Sequence, residues 1–515
     1  MTAIFLYEIE HYNPVTNAVE TLRVSNVGYI EPTLGLKYPK RIKKGGSAKF
    51  ETFAYSRNET LGRSSVDDGN IELVNIDREY DDLLQHDFRK VTIRRLDNAA
   101  QNISEAFIFA TMEVEGVEIG WQSLRLSVVD RMLLFNRQAQ FATFAGNNAN
   151  AYETEGNEAI AGSIKPVLIG KVGWFEAILV NPQSLLYIVN HDKAGAPESV
   201  ASIDGVKDRG VNLTFYSNYS TLNALITAQQ AGSIPAGNYA TCLSAGAFAL
   251  GSFPSGAITC SASEGATAGD RSVVQCVKRL ITRLTDVVSG DFENVTAVDS
   301  LATGECGVYI DGGDTLLEQC SFLLNSGAVF LTPTLGGKFR FGKLRDVSGE
   351  TSIKTFKANN ILQSIERIIL GDATGGLPTH KVVVNYKKYY RALSASEAGG
   401  SLSVAAKQDL SQTFRGAQAE DASVLVKYKK SEPLTIETAL FNQADAQNFA
   451  NDVLAFRKQW HDMFIIEVED KYSYNIGDVV TLQYDAFGLE YGKKYIILGL
   501  EIDLERRAIA YYLYG

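Results

Sequence analysis

The stretch YSYNIGDVVTLQYDAFGLEYGKKYIILGLEIDLERRAIAYYLYG, residues 472–515, decides the reading of this chain. Val480, Leu482 and Tyr484 alternate with Val479, Thr481 and Gln483, the period of a β-strand. Gly477-Asp478 supplies a turn before this run, and Gly488 and Gly492 bracket the next one. Residues 495–502 and 509–514 then read as two more strands, joined by the charged turn 503–507. The stretch is a meander with almost no reactive side chain in it. A domain that spends its residues this way points to a building block more than to an enzyme.

Working outward, 515 residues exceed one ordinary core, so three or four domains are expected. Apolar residues make up 45% and charged residues 21%, the balance of a folded soluble chain. No apolar run reaches the length of about 18 residues that a membrane span needs. The first residues, MTAIFLYEIEHYNP, alternate like a strand and lack the basic start and cleavage site of a signal peptide, so a cytoplasmic origin is expected. The net charge of −11 is the wrong sign for a nucleic-acid binder. Three local basic clusters (Lys37, Lys40, Arg41, Lys43 and Lys44; Lys387, Lys388 and Arg391; Lys427, Lys429 and Lys430) read as solvated faces or subunit contacts.

The five cysteines, Cys242, Cys260, Cys276, Cys306 and Cys320, contain no CxxC and fit no zinc template. Buried thiols are expected. Cys242 and Cys260 fall on neighbouring predicted strands and could face each other, although a cytoplasmic product disfavours a disulfide.

Residues 1–160 are β-rich, with strands expected at 4–9, 20–25, 69–74, 91–95, 106–115 and 123–129. Asp77, Asp81 and Asp82 interrupt them, and a short helical turn explains these better than a cation site. Residues 161–265 carry short strands punctuated by Gly and Pro, the pattern of a sandwich. Trp174, Tyr187 and Tyr216 are its candidate sugar platforms, with buried core aromatics as the plainer reading. At 266–375 the period changes. Val273, Val277, Leu280 or Ile281, Leu284 and Val288 recur at helical spacing behind Ser272 and Gln275, which read as a capping box. A second helix starts at Thr315 with Glu318 as box partner, stops at Gly327, and leads into a hairpin over 328–344. Asp311-Gly312-Gly313-Asp314 reads as a turn and cap in preference to a metal loop. From 376 the chain alternates over 380–389. A polar segment at 393–421 is expected to be a mobile loop or packing arm. A strand at 423–428 and a long helix at 442–459 with the stripe Phe449, Val453, Phe456 and Trp460 precede the meander.

No GxSxG, HExxH, Walker A or GxGxxG element occurs. The histidines, His11, His86, His191, His380 and His461, are scattered; His191-Asp192 reads as a loop pair. No catalytic, cofactor-binding or metal residue is therefore assigned, and no cofactor is expected.

Three stretches together resemble the hub-type tail-tip and baseplate proteins of long-tailed bacteriophages and prophages. At the C-terminal end these are Ile476-Gly477-Asp478-Val479-Val480, Phe487-Gly488-Leu489, Gly492-Lys493 and Gly499. In the first domain they are Leu22–Ser25 with Gly28-Tyr29, Gly62-Arg63-Ser64, the run 68–77, 91–96 and Asp130-Arg131. Between them stand 165–170 and the helix-then-hairpin of 315–344.

The resemblance implies a β-rich α+β multidomain fold. Its parts would be tube-like barrel or sandwich end domains at 1–160 and 376–515, an inserted sandwich at 161–265 and a small helix-plus-hairpin domain at 266–375. It also implies a non-enzymatic homotrimer in the virion, assembled in the host cytoplasm. The end domains would pair so that three chains mimic a six-fold ring continuing the tail tube. Its partners would be the distal tail protein, the tape measure protein and other baseplate or tail-fibre proteins, with DNA only passing through the lumen and no membrane insertion. A glycan-binding attachment protein acting through the 161–265 sandwich is the alternative reading, and a wall-degrading hydrolase a third.

Overall fold

The computed structural model describes the chain apart from residues 1–2, 46, 53–68, 149–153, 364, 369–376, 470, 472–473 and 504–505, and apart from the side chains of 47–51 and 69. The resemblance at Gly62-Arg63-Ser64 and Asp68, and the middle of the 503–507 turn, lie outside the described residues. The architecture is β-rich α+β with several separate sheets.

The N-terminal sheet has seven strands in the order Ala18–Ser25, Ile4–Asn13, Asp87–Leu96, Phe107–Ile119, Ser123–Val129, Gly69–Val74 and Ile42–Lys44. Its inner face is set by period two: Phe5, Tyr7 and Ile9 on one strand, Val91 and Ile93 on the next, and Leu124, Leu126 and Val128 further across, all buried. The C-terminal sheet also has seven strands. The expected meander supplies Val479–Leu482, Lys493–Asp503 and Ala508–Tyr514, and Met463–Glu469 flanks the last of these. Lys354–Phe356 and Glu366–Ile368, from before residue 376, form its two outer strands. Strand pairing thus runs across the expected boundary near 375.

Two five-stranded sheets build the inserted sandwich. One runs Val211–Asn212, Ser202–Asp208, Ile258–Ser263, Val167–Glu176 and Gly307–Ile310. The other runs Ile178–Asn181, Leu186–Ile188, Ala247–Leu250, Asn238–Cys242 and Thr214–Asn218. Pairing also crosses residue 265 here, because Gly307–Ile310 continues the first sheet. Cys242 and Cys260 therefore lie in different sheets. All five thiols are buried and free, so the facing pair considered from sequence does not exist.

Helix Val273–Leu284 forms where expected. Ser272 accepts the Gln275 amide at 3.4 Å, but the Gln275 side chain donates to Asp299 at 3.1 Å, so only half of the capping box is made. Helix Leu316–Asn325 has the full box between Thr315 and Glu318. Its buried Cys320, Leu323 and Leu324 pack with Val277 and Leu280 of the first helix in one core. Hairpin Val329–Pro333 with Phe339–Lys343 follows.

Two local expectations differ from the structure, and one helix was not anticipated. Residues Ser423–Lys427, expected as a strand, are a single helical turn; the three-residue apolar run Val424–Val426 has no resolvable period. The polar arm expected at 393–421 contains helix Val404–Ser411 and strand Arg415–Glu420, which pairs with Lys381–Tyr386 over six residues. Helix Leu222–Gln230 was not expected at all, although Thr221 caps it by accepting the Ala224 amide at 3.2 Å.

Candidate functional site

The described residues hold no grouping of three or more His, Cys, Asp or Glu side chains able to ligate a metal. The candidate positions from sequence are engaged elsewhere. Asp77 and Glu79 both accept from Arg41, and Asp81 accepts from Arg78 at 2.8 Å in the turn Asp81–Gln85. Asp314 accepts from Gln319 at 2.8 Å beside the cap of the second helix. Burial raises the Asp311 carboxyl above its usual range. Asp192 accepts the amides of Ala194 and Ala196, closing its own turn, and does not orient His191. His191 is buried with Nδ1 3.2 Å from the Pro166 carbonyl oxygen, and burial pushes its pKa down to about 4, so the neutral ring donates that bond. Of the three candidate sugar platforms, Tyr187 is buried and stacked on Phe248. Lys207 sits 3.7 Å over Trp174, and Tyr216 stands at the surface.

What the residues do bring together is the two ends of the chain. The inner faces of both seven-stranded sheets belong to one hydrophobic core: Phe5, Tyr7, Ile93 and Leu126 from the first, Phe464, Ile466, Leu482, Ile497, Tyr511 and Leu513 from the second. Each fully buried side chain of this size contributes roughly 1.5–3 kcal/mol, so neither sheet keeps its inner face dry alone.

The backbone joins them as well. Strand Lys493–Asp503 is eleven residues long. On one edge its first part pairs with Val479–Leu482 of its own domain, Val479 opposite Ile496. On that same edge its second part pairs antiparallel with Ser47–Glu51 from the N-terminal region, Glu51 opposite Gly499 and Ser47 opposite Asp503. The Thr52 amide extends the ladder by donating to the Leu498 carbonyl at 2.7 Å. Sequence gave no signal for this pairing, because the two strands lie hundreds of residues apart.

A third element keys the two sheets. The hairpin turn after Pro333 carries Leu335 into the shared core, and the Leu335 amide donates to Asn475 Oδ1 at 3.1 Å in the C-terminal domain. Arg340 pairs with Asp478 at 2.8 Å. On the other side, Arg131 of the N-terminal domain donates to the Gly337 carbonyl, lies 5.0 Å over the Phe339 ring and pairs with Glu113 at 3.1 Å. Burial pushes the Glu113 carboxyl up, and Arg131 opposes that shift.

Among the described residues, strands Ala18–Ser25 and Ile42–Lys44 end the first sheet and Lys354–Phe356 and Glu366–Ile368 end the second; the outer side of Ala18–Ser25 is bridged to Lys40 at Ser25. They carry Glu20, Arg23, Lys43, Lys44, Lys354, Glu366 and Arg367. Charged residues on sheet edges discourage indiscriminate pairing while leaving backbone donors and acceptors for a specific partner.

No family model matches the chain, and no curated protein matches it. Among solved structures it is similar to a 43 kDa tail protein of a Shewanella oneidensis prophage (9% identity, covering 99% of this chain and 96% of that one, TM-score 0.38). It is similar to a tail protein of Neisseria meningitidis (10%, 99% and 96%, 0.37). A prophage tail protein of Listeria monocytogenes is comparable (10%, 100% and 94%, 0.35).

Proposed function

We propose that this chain is a structural subunit of a phage-type tail tip or baseplate, of the hub type. The observation that carries the reading is the pairing of Ser47–Glu51 with the far half of Lys493–Asp503, which makes two sheets from opposite ends of the chain into one double unit. Three such chains present six sheets around an axis, the number a six-fold tube end requires. The charged edge strands are the surfaces through which neighbouring copies join, closing a ring by a head-to-tail contact.

In this reading the ring continues the tail tube and holds the end of the tape measure protein, and opens to release DNA. The inserted sandwich faces outward toward other tail proteins. The work is mechanical: a large shared core resists deformation, and subunit contacts break on ejection.

Light scattering of the purified full chain, with negative-stain imaging of the same sample, tests this. A trimer or a ring is expected. A chain that stays monomeric across the accessible concentration range, and is missing from purified tail particles, overturns the reading.

A further inference from the structure

An apolar stripe that reads as core from sequence is open to solvent on one side in the fold. Helix Gln443–Arg457 buries Ala446, Phe449, Ala450, Leu454 and Arg457. Phe449, Val453 and Phe456, followed by Trp460 beyond the helix end, line a cleft of about 610 Å³. Its other walls include residues 343–348 and 493–494, with Leu434 and Ile436. Clefts of this volume are in the range that seats a ligand or a short chain segment. Trp460 remains 40% exposed there.

The polar groups around the stripe are mainly cationic. Arg345 is held by Glu350 in a two-bond pair at 2.6 and 2.8 Å, and Lys493 by Asp462 at 3.5 Å. Two ammonium groups differ. Lys343 donates to the Leu301 carbonyl and Lys494 to the Ser348 carbonyl at 3.0 Å, and neither has a carboxylate at ion-pair distance among the described residues. An ammonium has three donors, so each retains two. Burial lowers the pKa of Lys343, and the nearby Asp452 carboxylate only partly opposes that shift. The cleft's own acids are Asp346, which accepts the Ser348 amide at 2.9 Å, and Asp452. A cationic cleft in a chain of net charge −11 is a local exception.

We propose that this cleft docks a short segment of another protein carrying carboxylates beside aliphatic or aromatic side chains. The carboxylates pair with Lys343 and Lys494, and the apolar groups lie along Val453, Phe456 and Trp460. An inorganic anion or nucleic-acid backbone would satisfy the lysines and leave the stripe wet. A purely apolar helix would cover the stripe and strand the lysines. The inference does not depend on the tail reading.

The test is calorimetric titration of the full chain with a synthetic peptide alternating glutamate with leucine and phenylalanine, against the same peptide with lysine for glutamate. Saturable binding of the acidic peptide alone is expected, weakening with added salt. Lys343→Gln with Lys494→Gln, and separately Trp460→Ala, should each weaken it at least ~10-fold, while Lys193→Gln at a distant exposed site leaves it unchanged. Zero-length carbodiimide coupling on the wild-type protein gives a second readout independent of variant folding, with peptide carboxylates expected on Lys343 or Lys494. Equal binding of the lysine peptide, no saturable binding, coupling confined to other lysines, or preference for a single-stranded oligonucleotide would each overturn the proposal. So would self-association through the cleft.

Discussion

Gly337 stands directly over Thr111: a Cβ built on Gly337 would lie 2.8 Å from both the Cβ and the Cγ2 of Thr111. The two residues belong to different parts of the chain, the hairpin turn and the N-terminal sheet. Gly337 also has φ +80°, a conformation that other residues adopt at a cost. Close approach and backbone angle therefore select glycine together. Gly337→Ala should lower unfolding free energy by about 1–3 kcal/mol, since the added methyl must push against a β-branched side chain on a strand. Thr111→Ser should partly restore the loss by removing the methyl in the way. Denaturant unfolding of the single and double variants measures both, and a silent Gly337→Ala would show that the hairpin does not clamp the sheets.

Acid should destabilise the fold in a window set by its buried histidines. His191 is held at about 4 by burial. His461 is lowered by burial too, and His11 by burial and then by the charge of His86, whose Nδ1 lies 2.9 Å from its own. The sign follows from proton linkage. A base whose folded pKa is depressed binds its proton more readily unfolded, so its stability contribution is complete above about 6.5 and drains away as pH falls toward the folded value. For His191 the span from 6.5 to about 4 corresponds to roughly 3 kcal/mol. Chemical denaturation between pH 7 and 4 should show this decline, and His191→Gln should flatten it. An unchanged slope in the variant would place the proton uptake elsewhere.

The five thiols should be silent in the native protein. All are buried, and burial pushes Cys260, Cys306 and Cys320 above the ordinary thiol range, which removes the reactive thiolate. An aromatic disulfide reagent should titrate close to none of them in native buffer and all five in denaturant. Fewer than five after unfolding without reductant would reveal a bond that the fold does not contain.

How far the sequence could be read depends on the range of the interactions. The meander was legible because alternation and turn glycines act over a few residues: Val480, Leu482, Ile509 and Leu513 are all buried where period two puts them. The Thr315–Glu318 box was legible for the same reason. The helix after Thr221 had its cap in plain view, and the Gly and Pro residues around it masked the signal. The union of Ser47–Glu51 with Lys493–Asp503 was not legible, since nothing local distinguishes an edge strand that finds its partner across the whole chain. The stripe Phe449, Val453, Phe456 and Trp460 was legible as a pattern but not as a cleft wall, because periodicity marks an apolar face and is blind to what covers it.

The paired end sheets lead to the most exacting expectation. If they form a single cooperative unit, amides of 499–503 exchange with solvent only through global unfolding, as slowly as those of Ala508–Tyr514 on the opposite edge. The strand Ser47–Glu51 is short and comes from another part of the chain, so a loosely attached strand would exchange fast by fraying alone. Slow exchange at both partners requires the shared core of Phe5, Tyr7, Phe464 and Tyr511 to open first. Hydrogen-exchange mass spectrometry on the full chain separates these outcomes. Removing residues 1–52 should expose the 499–503 edge and the inner face of the C-terminal sheet together, and the truncated chain should aggregate instead of folding. A soluble, well-folded fragment with unchanged protection across 499–503 would show that the two ends of the chain are neighbours and not one unit.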